Sequence, residues 1–283
     1  MSSNPQHAEA DRYGVIGNPI AHSRSPDIHR LFAEQTGERI TYERILATRQ
    51  DFTQVVRQFQ DDGGKGLNVT LPFKHDACDL VDQITELADH AGAVNTLLLQ
   101  DDGTCIGANT DGIGLLRDLK KSLQLPLHAR KILVLGAGGA ARGIIEPLLG
   151  ERPDILLIAN RTKANARAIA DTFQEAGPVW GCSLDEIPSK PFDLILHATS
   201  AGLQHRDLAL PAGLVGPHTC CYDLMYGDTP SPFMQWGREQ GAERVVDGFG
   251  MLLEQAAESF YLWRGKRPDT AMACRCLRPQ PPA

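Results

Sequence analysis

The stretch Lys131-Ile-Leu-Val-Leu-Gly-Ala-Gly-Gly-Ala-Ala-Arg-Gly143 constrains the chain most, because it prescribes a strand, a turn and a helix in succession. Lys131 to Leu135 is an aliphatic run of the kind buried on both faces of a parallel sheet. It leads into Gly136, Gly138 and Ala141 at G-x-G-x-x-A spacing. Glycine at 136 permits the tight turn, glycine at 138 lets backbone approach a pyrophosphate, and Ala141 lets helix pack on strand. The helix N-terminus adds unpaired N–H groups and a positive dipole end, so a dinucleotide is the natural ligand. Taken alone, the spacing fits equally well a turn that binds nothing.

The chain beyond it alternates regularly. Strands are expected at 131–135, 154–159, 178–181, 193–197, 219–223 and 244–246, with helices at 139–149, 164–174 and 232–240. Six strands in this order predict a Rossmann-type doubly wound domain over 113–249. Where the second strand ends, an NAD site carries an acid for the ribose. This chain has Asn160-Arg161-Thr162-Lys163 instead. A carboxylate would repel a 2′-phosphate, whereas Arg161 can grip one through a planar, permanently charged fork, so NADP is favoured over two idle surface cations.

Upstream, strands at 13–17, 40–46 and 66–71 alternate with helices near 27–35 and 51–60, which predicts a second, open α/β domain over 12–112. Its first loop holds Ser23 and Ser25 before Pro26; Ser25 fits a helix N-cap, and the two hydroxyls also suit a carboxylate without a full counter-charge. Asn68 and Thr70 share one face of the third strand, and Lys74 follows at its carboxyl edge, where open α/β sheets bind ligands. A half-exposed strand with a solvated lysine explains the same pattern. Helical turns through 78–91 lead to a strand at 92–99, paired through an Asp101-Asp102-Gly103 turn with 105–108. Asp111 is expected to cap a helix over 112–122. The final helix, 250–263, carries Leu252, Leu253, Ala256, Ala257, Phe260 and Trp263 on one stripe. With nothing left to close in the second domain, it is expected to cross back to the first, completing it through 250–276, with 277–283 a disordered tail.

At 283 residues the chain suits two domains of roughly 150 residues each. Its net charge of −7 and lack of basic runs argue against nucleic acid as a partner. No secretory h-region and no membrane-length apolar run is present, so a cytoplasmic protein acting on a small molecule is expected. The 7 cysteines lack metal-site spacing, which predicts reduced, mostly buried thiols and no metal.

Assembled in order, these motifs resemble the shikimate dehydrogenase family from about Tyr13 to Thr270. They are Gly17-Asn-Pro-Ile-Ala-His-Ser-Arg-Ser-Pro26, Gly64-Lys-Gly-Leu-Asn-Val-Thr-Leu-Pro-Phe-Lys74, Gly92-Ala-Val-Asn-Thr96 and Asn109-Thr-Asp-Gly112 in the first half. The glycine turn, Asn160-Arg-Thr162, Ala198-Thr-Ser-Ala-Gly202, Tyr222-Asp223 with Tyr226, and Gly248-Phe-Gly-Met-Leu252 with Gln255 complete the set. The resemblance implies NADPH-dependent, reversible reduction of 3-dehydroshikimate to shikimate, on the route to chorismate and aromatic amino acids. It implies Lys74 and Asp111 as the catalytic pair, Ser23, Ser25 and Tyr226 for the substrate carboxylate, and Asn68, Thr70, Asn95 and Gln255 for its hydroxyls. On the cofactor side it implies Gly136, Ala137, Gly138, Gly139, Ala140, Asn160, Arg161, Thr162, Lys163, Thr199, Leu224 and Gly248, with Glu86 in addition. A monomer or homodimer is implied, and a quinate/shikimate enzyme or a slower paralogue is the nearest alternative. Two positions depart from the family's habit: His197 stands where asparagine is usual, and Asn165 where many NADP users have a second base.

Overall fold

The computed structural model describes residues 10–199 and 210–278. Two sheets of 6 strands each account for the core. The first contains β1 (Asp11–Gly17), β2 (Ile40–Leu46), β3 (Gly64–Val69), β4 (Gln83–Ile84), β5 (Thr96–Leu99) and β6 (Cys105–Ala108). Its spatial order is β2-β1-β3-β5-β6-β4. The helices α1 (Ser25–Thr36), α2 (Phe52–Asp61), α3 (Asp76–Leu80) and α4 (Glu86–Ala91) connect these strands. β1 runs parallel to both β2 and β3, but β5 pairs antiparallel with β3 and β6, so the sheet is mixed. The three strands that alternate with helices are parallel, and the expected hairpin forms as β5 and β6 and joins β3 antiparallel; β4 is a two-residue edge strand too short to leave a pattern.

After α5 (Asp111–Arg117) and a π-helical turn, Asp118–Ser122, the chain enters the second sheet. It comprises β7 (Lys131–Leu135), β8 (Ile155–Ala159), β9 (Val179–Cys182), β10 (Phe192–His197), β11 (Val215–Asp223) and β12 (Arg244–Val246). All five pairings are parallel, in the order β12-β11-β10-β7-β8-β9. That is the doubly wound order, reversing direction between β7 and β10, where such sheets open a ligand crevice. Its helices are α6 (Gly139–Gly150), α7 (Lys163–Phe173) and α8 (Pro232–Glu239). Every expected strand of this half is present within a few residues.

Helix α9 (Phe249–Arg264) leaves the second sheet and packs on α1, α5, β3 and β5 of the first half, as its apolar stripe anticipates. Phe260 is fully buried with Ile28 and Phe32, and Trp263 Nε1 donates to the Leu97 carbonyl at 2.9 Å. The stripe was only part of its buried surface. Met251 enters the core of the other half, and the buried carboxylates Glu254 and Glu258 accept from Thr270 Oγ1 and from Arg117 and Arg267. A helix wedged between two bodies is covered nearly all round, and its acids are tolerated because each is paired. Helix α10 (Thr270–Leu277) follows, and Arg278 Nη1 donates to both carboxylate oxygens of Asp247 at 2.6 and 2.7 Å. The expected disorder therefore does not begin at Leu277; residues 279–283 lie outside the described part.

All seven cysteines are free thiols, and Cys105, Cys182, Cys220 and Cys221 are buried. No helix among the described residues is long and apolar enough to cross a membrane.

Candidate active site

A cleft of 1210 Å³ opens between the carboxyl ends of the two sheets. The loops after β1 and β3 form one wall; the turns after β7, β8, β10 and β11 form the other, and Met251, Leu252 and Gln255 of α9 contribute to its lining.

Lys74 and Asp111 meet in this cleft as a hydrogen-bonded ion pair, with side chains only 15% and 7% exposed. Each is placed by a local rule. β3 ends at Val69, two residues before the sequence suggested, because Phe73 N donates to the Thr70 carbonyl in a turn (3.0 Å) that swings Lys74 inward. Asp111 does not cap α5 as expected. The helix begins at Asp111 itself, and Asn109 Oδ1 accepts the Asp111 N–H at 3.0 Å, which leaves the carboxylate for side chains. Its Oδ2 takes Lys74, and its Oδ1 accepts from Asn95 Nδ2 at 2.8 Å. Asn95 is in turn locked, its other amide hydrogen on Thr110 Oγ1 (3.0 Å) and its Oδ1 accepting from Thr110 N (2.9 Å). At an effective dielectric of about 20, opposite charges in such contact attract by about 4 kcal/mol, which keeps the ammonium aimed at Asp111.

The serine loop also differs from its local expectation. α1 begins at Ser25, with Arg24 before it, and no side chain caps the helix. Ser25 therefore turns its hydroxyl toward Ser23 Oγ at 3.2 Å, and both line the cleft. Arg44 on β2 holds this loop by donating Nε and Nη2 to the Ser23 carbonyl at 2.9 and 2.6 Å. Burial raises the pKa of Tyr226, while Arg24 and Arg44 pull it down, so its phenol stays a donor near two cations. The two guanidinium groups place positive charge near Tyr226, which the sequence reading of the serine loop did not include. Arg24 lies within the Gly17–Pro26 motif, whereas no sequence pattern marks Arg44, which reaches this loop only when β2 pairs with β1. Arg278, beyond every motif, also reaches the cleft, stacking 4.6 Å over Phe249 and donating to the Gly227 carbonyl at 2.6 Å. Asn68, Thr70 and Gln255 line the same wall.

The opposite wall is mostly backbone. Gly136 has φ +116°, which a side chain would rarely adopt, and a Cβ there would sit 2.9 Å from Thr199 and Ala198. Above Gly138 a Cβ would meet nothing within 4 Å, so the N-terminal end of α6 faces open space that a pyrophosphate can fill. A Cβ on Gly139 would lie 3.9 Å from Lys74 Cβ, so the turn faces the ion pair directly. Gly248 abuts Leu224, where a Cβ would fall 2.2 Å from the carbonyl oxygen. Asn160, Arg161 and Thr162 line the far end, and among the described residues Arg161 has no acidic partner. These features fit NADP, with the α6 N-terminus for pyrophosphate and Arg161 for the 2′-phosphate.

Two expected cofactor residues are not brought to the cleft. Lys163 turns away into an ion pair with Glu186, whose carboxyl the lysine holds down at about 2. Glu86 is exposed on the first turn of α4, outside the lining. His197 is held as a satisfied strand-end residue, Nδ1 against Asp223 Oδ1 (2.9 Å) and Nε2 against Thr199 Oγ1 (2.6 Å). The end of the Ala198-Thr-Ser-Ala-Gly202 motif, from Ser200, lies outside the described residues.

A dinucleotide crevice facing a buried lysine–aspartate pair defines an oxidoreductase of the two-domain, Rossmann-containing class. Comparison with known proteins narrows it. The shikimate dehydrogenase substrate-binding domain matches residues 15–97, the shikimate/quinate 5-dehydrogenase model residues 118–205, and the shikimate 5'-dehydrogenase C-terminal domain residues 248–271. The chain is 50% identical over 270 residues to the shikimate dehydrogenase (NADP(+)) of Alkalilimnicola ehrlichii, covering 95% of this chain and 99% of that one. It is 52% identical to that of Methylococcus capsulatus, over 93% and 94% of the two chains. The crystal structure of the Thermus thermophilus enzyme, solved in complex with NADP(H) and shikimate, superposes with a TM-score of 0.81 at 32% identity, covering 92% and 96%. The chain belongs to the shikimate dehydrogenase family.

Proposed function

We propose that this protein is an NADP-dependent shikimate dehydrogenase that reversibly reduces 3-dehydroshikimate to shikimate, with Lys74 and Asp111 handling the proton. The observation that carries this reading is the buried ion pair standing opposite the glycine turn. The glycine turn and Arg161 would hold NADPH, which would supply the hydride for the ketone carbon. The chain must then stabilise and protonate the alkoxide that results. Lys74 Nζ does both, since it stands in the ion pair with Asp111 and carries hydrogens to give. Asp111 keeps the ammonium oriented, and Asn95 keeps Asp111 in place. In the oxidation direction Lys74 receives the hydroxyl proton.

Ser23, Ser25 and the Tyr226 phenol take the substrate carboxylate, within the field of Arg24 and Arg44. Asn68, Thr70, Asn95 and Gln255 take the ring hydroxyls, which places the reacting carbon toward Lys74. Arg161 takes the 2′-phosphate alone, because Lys163 is committed to Glu186. The domain division follows: 12–112 with 250–276 holds substrate, and 113–249 holds cofactor. The test is NADPH formation when shikimate and NADP are added to purified protein, with quinate and NAD as parallel arms. Turnover with shikimate and NADP is expected; turnover with quinate alone, or with neither acid, would refute the assignment.

A further inference from the structure

Ser259 is a fully buried hydroxyl on α9, outside every motif, with no part in binding or proton transfer as described so far. Its surroundings single it out. Ser259 Oγ lies 2.9 Å from Asn68 Nδ2, 2.8 Å from Thr96 Oγ1 and 3.3 Å from Thr110 Oγ1, and it can donate to the Gln255 carbonyl at 3.1 Å. One oxygen from the returning helix thus joins β3, β5 and the start of α5.

The amide of Asn68 has a definite orientation. One neighbour of Nδ2 is the Asn95 main-chain carbonyl at 3.3 Å, which can only accept, so the nitrogen must be on that side. Its two hydrogens are then shared among Asn95 O, Thr96 Oγ1 at 3.2 Å and Ser259 Oγ, the nearest of the three. Oδ1 points the other way and accepts the Tyr42 phenol at 2.7 Å. With both hydrogens committed inside the protein, the remaining capacity of Asn68 is the second lone pair of Oδ1.

We infer that Ser259 is a positioning residue that fixes Asn68 as a hydrogen-bond acceptor toward the substrate, so that this position reads a hydroxyl donor. The role rests on the proposed function, in which Asn68 meets a ring hydroxyl. It also assigns α9 a task beyond closing the core, because its register sets the polarity of a substrate contact on a strand far away in sequence.

Steady-state kinetics on Ser259→Ala, Ser259→Cys, Asn68→Ala and the Ser259→Ala/Asn68→Ala double variant test it. Ser259→Ala is expected to raise the shikimate KM about 3- to 10-fold, the worth of one buried hydrogen bond, and to leave the NADP KM unchanged. Ser259→Cys, which keeps the volume but accepts weakly, should behave the same way. The double variant should match Asn68→Ala alone, since Ser259 acts through Asn68. A parental KM in Ser259→Ala, a parental KM in the cysteine variant beside a raised one in the alanine variant, or fully multiplicative losses would overturn the inference. Asn68→Ala with unaltered shikimate kinetics would instead remove Asn68 from the substrate site, and Ser259's role with it.

Discussion

The two walls of the cleft are made differently. On the substrate side, side chains do the work, and they are buried and interlocked: Lys74 on Asp111, Asp111 on Asn95, Asn95 on Thr110, Asn68 on Tyr42. On the cofactor side the turn Gly136–Ala140 offers backbone, and the one charged side chain assigned to the ligand, Arg161, is exposed and unpaired among the described residues. In the proposed reaction the hydride acceptor must be held to within fractions of an ångström, a task that interlocked side chains suit. A dinucleotide spreads its recognition over a long molecule, so its wall needs space and N–H groups more than fixed side chains.

The contrast predicts that substrate-wall variants lose rate while cofactor-wall variants lose affinity. The largest effect belongs to Lys74→Ala, expected to lower kcat about 100- to 10,000-fold with little change in the shikimate KM. Equal loss in both parameters would make Lys74 a binding residue and erase the distinction. Next is Arg161→Ala, which should raise the NADP KM about 10- to 100-fold, the value of a charge-assisted contact, and leave kcat and the NAD KM nearly unchanged. A shift in shikimate KM of the same size would show that the walls are not independent.

A third prediction concerns stability. His29 is fully buried on the substrate side, stacked 4.2 Å from Tyr42, and neither ring nitrogen has a hydrogen-bond partner among the described residues. Burial pushes its pKa down to about 3. Unfolded, the ring takes a proton near its ordinary pKa of 6.5, so between 6.5 and 3 the unfolded chain binds more protons than the native one. Stability is therefore full above 6.5 and falls as pH drops toward 3, by up to about 1.4 kcal/mol per pH unit. Urea unfolding at several pH values checks this, and His29→Phe should flatten that part of the profile. The smallest effect is expected for Lys163→Ala, where NADP KM should change less than about 2-fold because an exposed ion pair contributes little. A rise comparable to that of Arg161→Ala would return Lys163 to the phosphate site.

Where the sequence was readable, the reason is periodicity or a local rule. The second sheet came through almost strand for strand because its aliphatic runs are buried on both faces and separated by clear helices. Lys74, Asp111 and the glycine turn lie in compact motifs. Arg44, Arg278 and Ser259 do not, since each acquires its partners from segments distant in sequence, Arg44 through sheet pairing and the others through the returning C-terminal helices. The wrong local assignments share another cause. Ser25 and Asp111 both look like helix caps because short polar side chains at helix starts usually are, and here a serine hydroxyl and an asparagine amide free them for the cleft. The ion pair of Lys163 was not legible either, because a basic residue's sequence position does not reveal a competing acid, Glu186, on a later turn.

The return of α9 has a consequence in time. Synthesis proceeds from the N-terminus, and the strands bearing Asn68, Lys74 and Asn95 leave the ribosome long before Ser259 and Gln255 exist. The glycine crevice can close from contiguous chain, whereas the first half must wait, its pocket lacking a wall, until nearly all of the protein has been made. During that interval Ile28 and Phe32 have no α9 to cover them, and the Leu97 carbonyl lacks its Trp263 partner. A truncation in α9 beyond Met251 should therefore yield a chain that still assembles its nucleotide half but leaves the older half sticky and in need of chaperone protection.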